Sequence, residues 1–180
     1  MYIFDSTTPR IHEMEQNKTI EILKQAILFE KRGFVFYTNA AQNSQDPEVK
    51  GIFLIMADEE EKHIKYLVQQ FRSYESEGKF TAPDPSDSGV YSITDQVITR
   101  DLTDKISAVS FEATAISLAI DMENRAIAAY SERAKNAANQ EERVFYQWLA
   151  DWESGHHKIL YQLDQELKEK IWADHNFWAF

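Results

Sequence analysis

Two stretches decide the fold: Ala-Asp-Glu-Glu-Glu-Lys-His-Ile-Lys-Tyr-Leu at residues 57–67 and Ala-Asp-Trp-Glu-Ser-Gly-His-His-Lys-Ile-Leu at residues 150–160. The second lies 93 residues after the first and repeats its Glu-x-x-His, so that Glu60 and His63 are echoed by Glu153 and His156. Working outward, a glutamate with a tyrosine seven residues on precedes each copy, Glu30 with Tyr37 and Glu123 with Tyr130, at the same offset. Aligning residues 20–71 with 113–164 without a gap gives fifteen identical pairs, among them Ala26/Ala119, Arg32/Arg125, Asn43/Asn136, Asp58/Asp151 and Leu67/Leu160. Each half therefore reads as one helical hairpin, and the two hairpins as packing about a pseudo-two-fold axis.

Breaker residues set the limits of the helices. The first is expected over about 17–42. Asp46-Pro47-Glu48 supplies an N-cap, a proline at the first helical position and an acidic first turn for a second over about 46–74. Gly78, Pro83, Pro85 and Gly89, with Ser and Asp between them, mark a loop, and the whole crossover covers about 75–102. The third helix is expected over about 103–138. Asn139-Gln140-Glu141-Glu142 caps the fourth, over about 139–172. Short connections within each pair and one long connection between pairs predict an all-α four-helix bundle, two antiparallel hairpins joined by a crossover, as one domain over 1–180.

Bulk properties narrow the function. A net charge of −11 argues against nucleic acid or anionic lipid as the main partner, since both require a basic face. No cysteine is present, so disulfides, zinc–thiolate sites and iron–sulfur clusters are excluded from these 180 residues. The amino terminus lacks the basic-then-apolar layout of a signal peptide, and the longest apolar run, residues 52–57, is too short to span a bilayer. A soluble, cytoplasmic protein is the expectation.

The inward seams carry the chemistry. Ile20, Leu23, Ile27, Glu30, Phe34, Tyr37 and Ala41 recur at spacings of three and four, as do Ala113, Ile116, Ile120, Glu123, Ile127, Tyr130 and Ala134. Val49, Phe53, Met56, Glu60, His63 and Leu67 form the second seam; Glu142, Tyr146, Leu149, Glu153, His156 and Leu160 form the fourth. Near the middle of each, a glutamate stands where an apolar side chain belongs. A buried unpaired carboxylate costs several kcal/mol or becomes protonated, and no lysine or arginine lies on these seams. Two divalent cations would neutralise the four glutamates. A single Glu-x-x-His in a charged helix is ordinarily a solvated face, but two sets at one offset and in seam phase point to metal. A glutamate from each of two helices with Glu-x-x-His from the other two is the ligand set of ferritin-like di-iron and di-manganese bundles. Tyr37 and Tyr130 read either as core residues with satisfied hydroxyls or as donors that orient a ligand carboxylate or supply a nearby oxidisable ring. Asp58 and Asp151 point elsewhere and read as surface residues or partners in inter-helix pairs, His157 falls out of phase and reads as exposed, and His12 and His175 have no partner pattern. The aromatic tail (Trp172, Phe177, Trp178, Phe180) reads as a cap on the bundle, a homodimer contact or a lid.

These motifs resemble the ferritin-like di-iron superfamily, most closely rubrerythrins and bacterioferritins, over residues 17–170. The resemblance implies a di-iron centre with Glu30 and Glu123 matching the glutamates of helices 1 and 3, and Glu60, His63, Glu153 and His156 the Glu-x-x-His pairs. Which two glutamates bridge the metals is left open. Rubrerythrins usually carry a rubredoxin domain with a four-cysteine iron, absent here, so electrons are expected from a separate donor protein. Their extra glutamate one turn after the helix 3 ligand is replaced by Ala126, whose repeat mate is Gly33. The haem-ligating methionine of bacterioferritin is Glu61 here, which argues against haem.

The expectation is a rubrerythrin-type oxidoreductase that reduces peroxide or dioxygen at two iron ions, with manganese or a mixed pair compatible with the same ligands. Gly33 and Ala126 are expected to leave space for the oxidant. One alternative is a ferroxidase that takes ferrous iron as substrate for storage or detoxification. The few residues after Trp172 leave little room for the fifth helix of a storage cage. A second alternative is a metal-free helical interaction module.

Overall fold

The computed structural model describes residues 8–81 and 111–174, with side chains for 16–81 and 111–169. Four helices account for nearly all of it: α1 (Thr8–Asn43), α2 (Pro47–Glu77), α3 (Phe111–Lys135) and α4 (Gln140–Asp174). α1 starts well before residue 17. Pro9 sits in its first turn, where a missing N–H is harmless, and no further proline interrupts the chain before Pro47. Asp46 caps α2 as expected, accepting from the Glu48 and Val49 N–H groups at 2.8 and 3.2 Å. α2 runs on to Glu77 because its stop is Gly78, whose φ of 67° closes the helix with an N–H bond to Tyr74 O. Asn139 caps α4 by accepting from Glu142 N–H at 2.8 Å. α3 ends at Lys135, three residues early, with Arg133 and Lys135 in its last turn, where cations suit the helix dipole. The start of α3 expected at residue 103, the side chains of His12 and Trp172, and His175 with the rest of the aromatic tail lie outside what is described.

α1 packs along α2, and α3 along α4, as two antiparallel hairpins. Their buried apolar residues form two clusters. One gathers the C-terminal part of α1, the N-terminal parts of α2 and α3 and the C-terminal part of α4, around Tyr37, Phe53, Met56, Ile116 and Leu160. The other gathers the opposite ends around Leu23, Leu67, Tyr146 and Leu149. α2 and α3 therefore start at the same end, and the connection from Glu77 to Phe111 links opposite ends of the bundle. Phe80 tucks back against Tyr74, Phe145 and Tyr146, and Thr81 pairs with the Gln70 amide.

The seam expectations of α1 and α3 need correction. Phe34 is 36 % exposed rather than core-facing, and Ile127, like Ile20, Ile27, Ala113 and Ile120, is only half-buried. Gly33 and Ala126 take the inward positions instead, because the line from Glu30 to Tyr37 passes through the i+3 residue. His157, expected at the surface, is half-buried and stacks on Tyr161. Asp58 and Asp151 do lie outside, paired with Lys62 and Gln147.

Candidate metal centre

Between the two apolar clusters lies a polar layer. Glu30, Glu60, His63, Glu123, Glu153 and His156, one or two from each helix, are all at most 3 % exposed. Turn-by-turn spacing delivers them: the i,i+3 step of each Glu-x-x-His sets both side chains on one helix face. His63 Nδ1 lies 2.9 Å from Glu153 Oε1, 3.2 Å from Glu30 Oε2 and 3.7 Å from Glu60 Oε2. One nitrogen cannot hydrogen-bond three carboxylates, and only the Glu30 contact has hydrogen-bond geometry. His156 Nδ1 lies 3.3 Å from Glu153 Oε2 and 3.8 Å from Glu123 Oε1. The two imidazoles stack at 5.4 Å across the pseudo-two-fold axis.

Two groups of ligand-type atoms result, each with its atoms within 4.8 Å of one another: Glu30, Glu60, His63 and Glu153, and Glu60, Glu123, Glu153 and His156. Glu60 and Glu153, repeat mates, belong to both groups. Glu60 Oε2, both Glu153 oxygens, His63 Nε2 and both His156 nitrogens are buried with no hydrogen-bond partner among the described residues. Orphaned buried polar atoms are rare in proteins. A donor set of carboxylates and imidazoles left unsatisfied at the centre of a bundle fits a pair of divalent cations.

Both tyrosines cross the axis rather than serving their own half. Tyr37 Oη donates to Glu123 Oε1, and Tyr130 Oη donates to Glu30 Oε1, each in a very short contact. Burial, then the surrounding carboxylates, push both phenols well above their ordinary pKa, so they remain donors. The carboxylates are not equivalent. Burial pushes Glu30 up, but hydrogen bonds from Glu60, His63 and Tyr130 outweigh it and hold Glu30 at about 2. Glu60, its coupled partner, goes up, through burial and the charges of Glu30 and Glu153. Glu123 goes up through burial and the Glu153 charge. For His63 burial pulls down, yet Glu153 and its other carboxylate neighbours carry it well above the usual imidazole range. Burial leaves His156 below that range.

Gly33 does not hold open space. A Cβ there would fall 2.9 Å from Glu60 Cδ and 3.0 Å from Glu60 Oε1, so the glycine is the cradle in which the shared carboxylate rests. A cavity of about 240 Å³ does lie against Tyr130, lined by Ile22, Ala26, Phe29, Arg133 and Tyr146 between α1, α3 and α4. Seam reading also passed over Glu59 and Trp152. Both are buried, and Trp152 Nε1–H donates to Glu59 Oε2 at 2.9 Å. They are repeat mates that differ, so the mismatches in the alignment at the 93-residue offset held the signal that its identities did not.

The helices and their central layer define a ferritin-like four-helix bundle whose carboxylates and imidazoles could hold metal. A sequence model of the rubrerythrin family matches residues 21–164, and the chain belongs to that family. No curated protein and no solved structure matched the chain in the corresponding searches. Among the described residues no helix is long and apolar enough to cross a membrane.

Proposed function

We propose that the protein is a di-iron carboxylate oxidoreductase that reduces peroxide or dioxygen, with electrons from a separate donor protein. The observation that carries the reading is the pair of ligand groups sharing Glu60 and Glu153, whose inner atoms lack protein partners. In this reading Glu30 and His63 would hold one ion, Glu123 and His156 would hold the other, and Glu60 and Glu153, members of both groups, would be available to each. Two iron ions, when bound, would supply one electron each to an O–O bond, so that peroxide with two protons taken up from solvent would give two waters without releasing a one-electron product. The remaining work belongs to the chain. Tyr130 and Tyr37 fix Oε1 of Glu30 and of Glu123, and the second Glu30 oxygen faces His63 Nδ1 in a contact that a bound ion would replace. Gly33 sets the position of Glu60, and the apolar clusters on either side exclude bulk water. The reading takes the protein as a cytoplasmic homodimer.

The test is anaerobic loading with ferrous iron followed by peroxide or air, with metal content, absorbance and particle mass recorded. About two irons per chain, kept through oxidation, support the oxidoreductase. Mineral accumulating far beyond that would make iron the substrate and favour a storage ferroxidase. Failure to bind iron or manganese would leave the helical interaction module.

A further inference from the structure

A second cluster abuts the candidate centre without belonging to it. The Trp152 ring on α4 meets the His63 ring edge-on at 4.7 Å between centroids. Trp148, one turn earlier, meets Trp152 edge-on at 4.7 Å. Tyr66, on α2, packs against both indoles at 5.0 and 6.2 Å. Trp152 is buried, whereas Trp148 and Tyr66 are half-buried. Rings in contact thus lead from a candidate ligand to the solvent edge of α2 and α4.

Core packing alone would favour apolar rings, and the repeat shows that the fold does not require them. The matching positions in the other half are Ile159 for Tyr66, Ile55 for Trp148 and Glu59 for Trp152. Among the described residues no aromatic ring other than His63 meets His156. Among the described residues the chain has therefore broken its own symmetry to place two indoles, side chains among the most readily oxidised by one electron, on the His63 side. The polar contacts of Trp152 suit that role. Its Nε1–H donates to Glu59 Oε2, and Lys62 Nζ holds Glu59 Oε1 at 2.6 Å. A fixed carboxylate at the indole N–H favours positive charge in the ring.

We propose that Trp152 and Trp148 form the route by which electrons reach the centre from a one-electron carrier protein. The proposal rests on the two-iron reading above. In each passage one electron tunnels from the reduced carrier to the oxidised centre through the two packed indoles, whose readily oxidised rings lower the barrier, and the Nε1 proton stays in its hydrogen bond to Glu59. Neither indole is left oxidised at the end of a passage. No bond is made or broken, and two passages return the two electrons consumed by one peroxide.

The test begins by changing Trp172 and Trp178 to Phe, so that Trp148 and Trp152 are the only indoles. In the metal-free protein, flash oxidation by a ruthenium tris-bipyridine photo-oxidant should produce an indole radical shielded from ascorbate. Trp152→Phe should abolish that shielded signal, and Glu59→Gln should shorten its life. In the iron-loaded protein, Trp152→Phe and Trp148→Phe should slow re-reduction of the oxidised centre about tenfold, or roughly 1.4 kcal/mol of barrier, with iron content and the rate of ferrous oxidation unchanged. A shielded radical that survives Trp152→Phe, or re-reduction untouched by both variants in protein that holds its iron, overturns the relay and leaves the two-iron reading standing. A protein that binds no iron overturns the two-iron reading, and the relay with it.

Discussion

The first hairpin and the second are built from one pattern, yet they treat the centre differently. Shared features are those of the candidate centre: a glutamate, a Glu-x-x-His and a tyrosine reaching across the axis. The caps at Asp46 and Asn139 are also repeat mates. Among the many differences, three bear on the centre: Gly33 against Ala126, Glu59 against Trp152, and a Glu30 carboxyl held near 2 against a Glu123 carboxyl pushed up. Symmetry here assembles the ligands, and departures from it decide how each half uses them.

The largest effect should come from testing which carboxylates the halves share. Glu60→Ala or Glu153→Ala removes a member of both ligand groups, so metal content after anaerobic loading and gel filtration should fall from about two ions per chain toward none. Glu30→Ala or Glu123→Ala removes a member of one group only and should leave about one ion. Equal losses from all four variants would sink the sharing.

Next comes the small-residue pair. Gly33→Ala drives a Cβ into the Glu60 carboxylate, which is the flexible end of a side chain and will shift. Helix propensity gains about 1 kcal/mol from the same change, so the melting temperature should move little. Metal affinity should fall about 10- to 100-fold, as it does when support for a ligand is lost. The mirror change Ala126→Gly should do the reverse, costing about 1 kcal/mol of stability with metal affinity intact.

Gly33 also shows where sequence reading stops. Periodicity located the helices, the hairpin pairing and all six polar residues of the layer, because seam phase follows from a 3.6-residue turn. It could not tell that Phe34 would turn outward while Gly33 faced Glu60, since both lie within the apolar arc and only the approach of α2 decides between them. It did not locate the start of α1 or Trp152, because the one runs through polar residues without a breaker and the other differs from its repeat mate. The crossing of the tyrosines was equally hidden: sequence places Tyr37 two turns from Glu30, and tertiary packing hands it to Glu123.

A pH titration of the metal-free protein sharpens the electrostatic contrast. Glu60, Glu123 and His63 are raised above their ordinary values of about 4.3 and 6.5, so the folded chain holds protons that the unfolded chain releases. Stability from these groups is complete below the unfolded values and is lost as pH rises. His156, lowered by burial, opposes this only below about 6.5, and Glu30 only between about 2 and 4.5. Urea unfolding should therefore show stability falling from pH 5.5 to 7.5, at about 1.4 kcal/mol per pH unit for each net proton. Bound metal displaces those protons and should reverse the trend. Rising stability of the metal-free protein would overturn the raised carboxylates.

The finest test compares the two tyrosines. Each hydroxyl donates to a glutamate of the opposite half, but the acceptors differ in charge for the metal-free chain. Glu30 is ionised at neutral pH, and a hydrogen bond to a charged group contributes about 1.5–3 kcal/mol. Glu123 is pushed toward its protonated form, whose hydrogen bond is worth about 0.5–1.5 kcal/mol. Tyr130→Phe should therefore destabilise the metal-free protein by about 1 kcal/mol more than Tyr37→Phe. Loading with metal ionises both carboxylates and should erase the difference. If the two variants unfold alike without metal, the halves are electrostatically equivalent, and only Gly33 and the indole pair distinguish them.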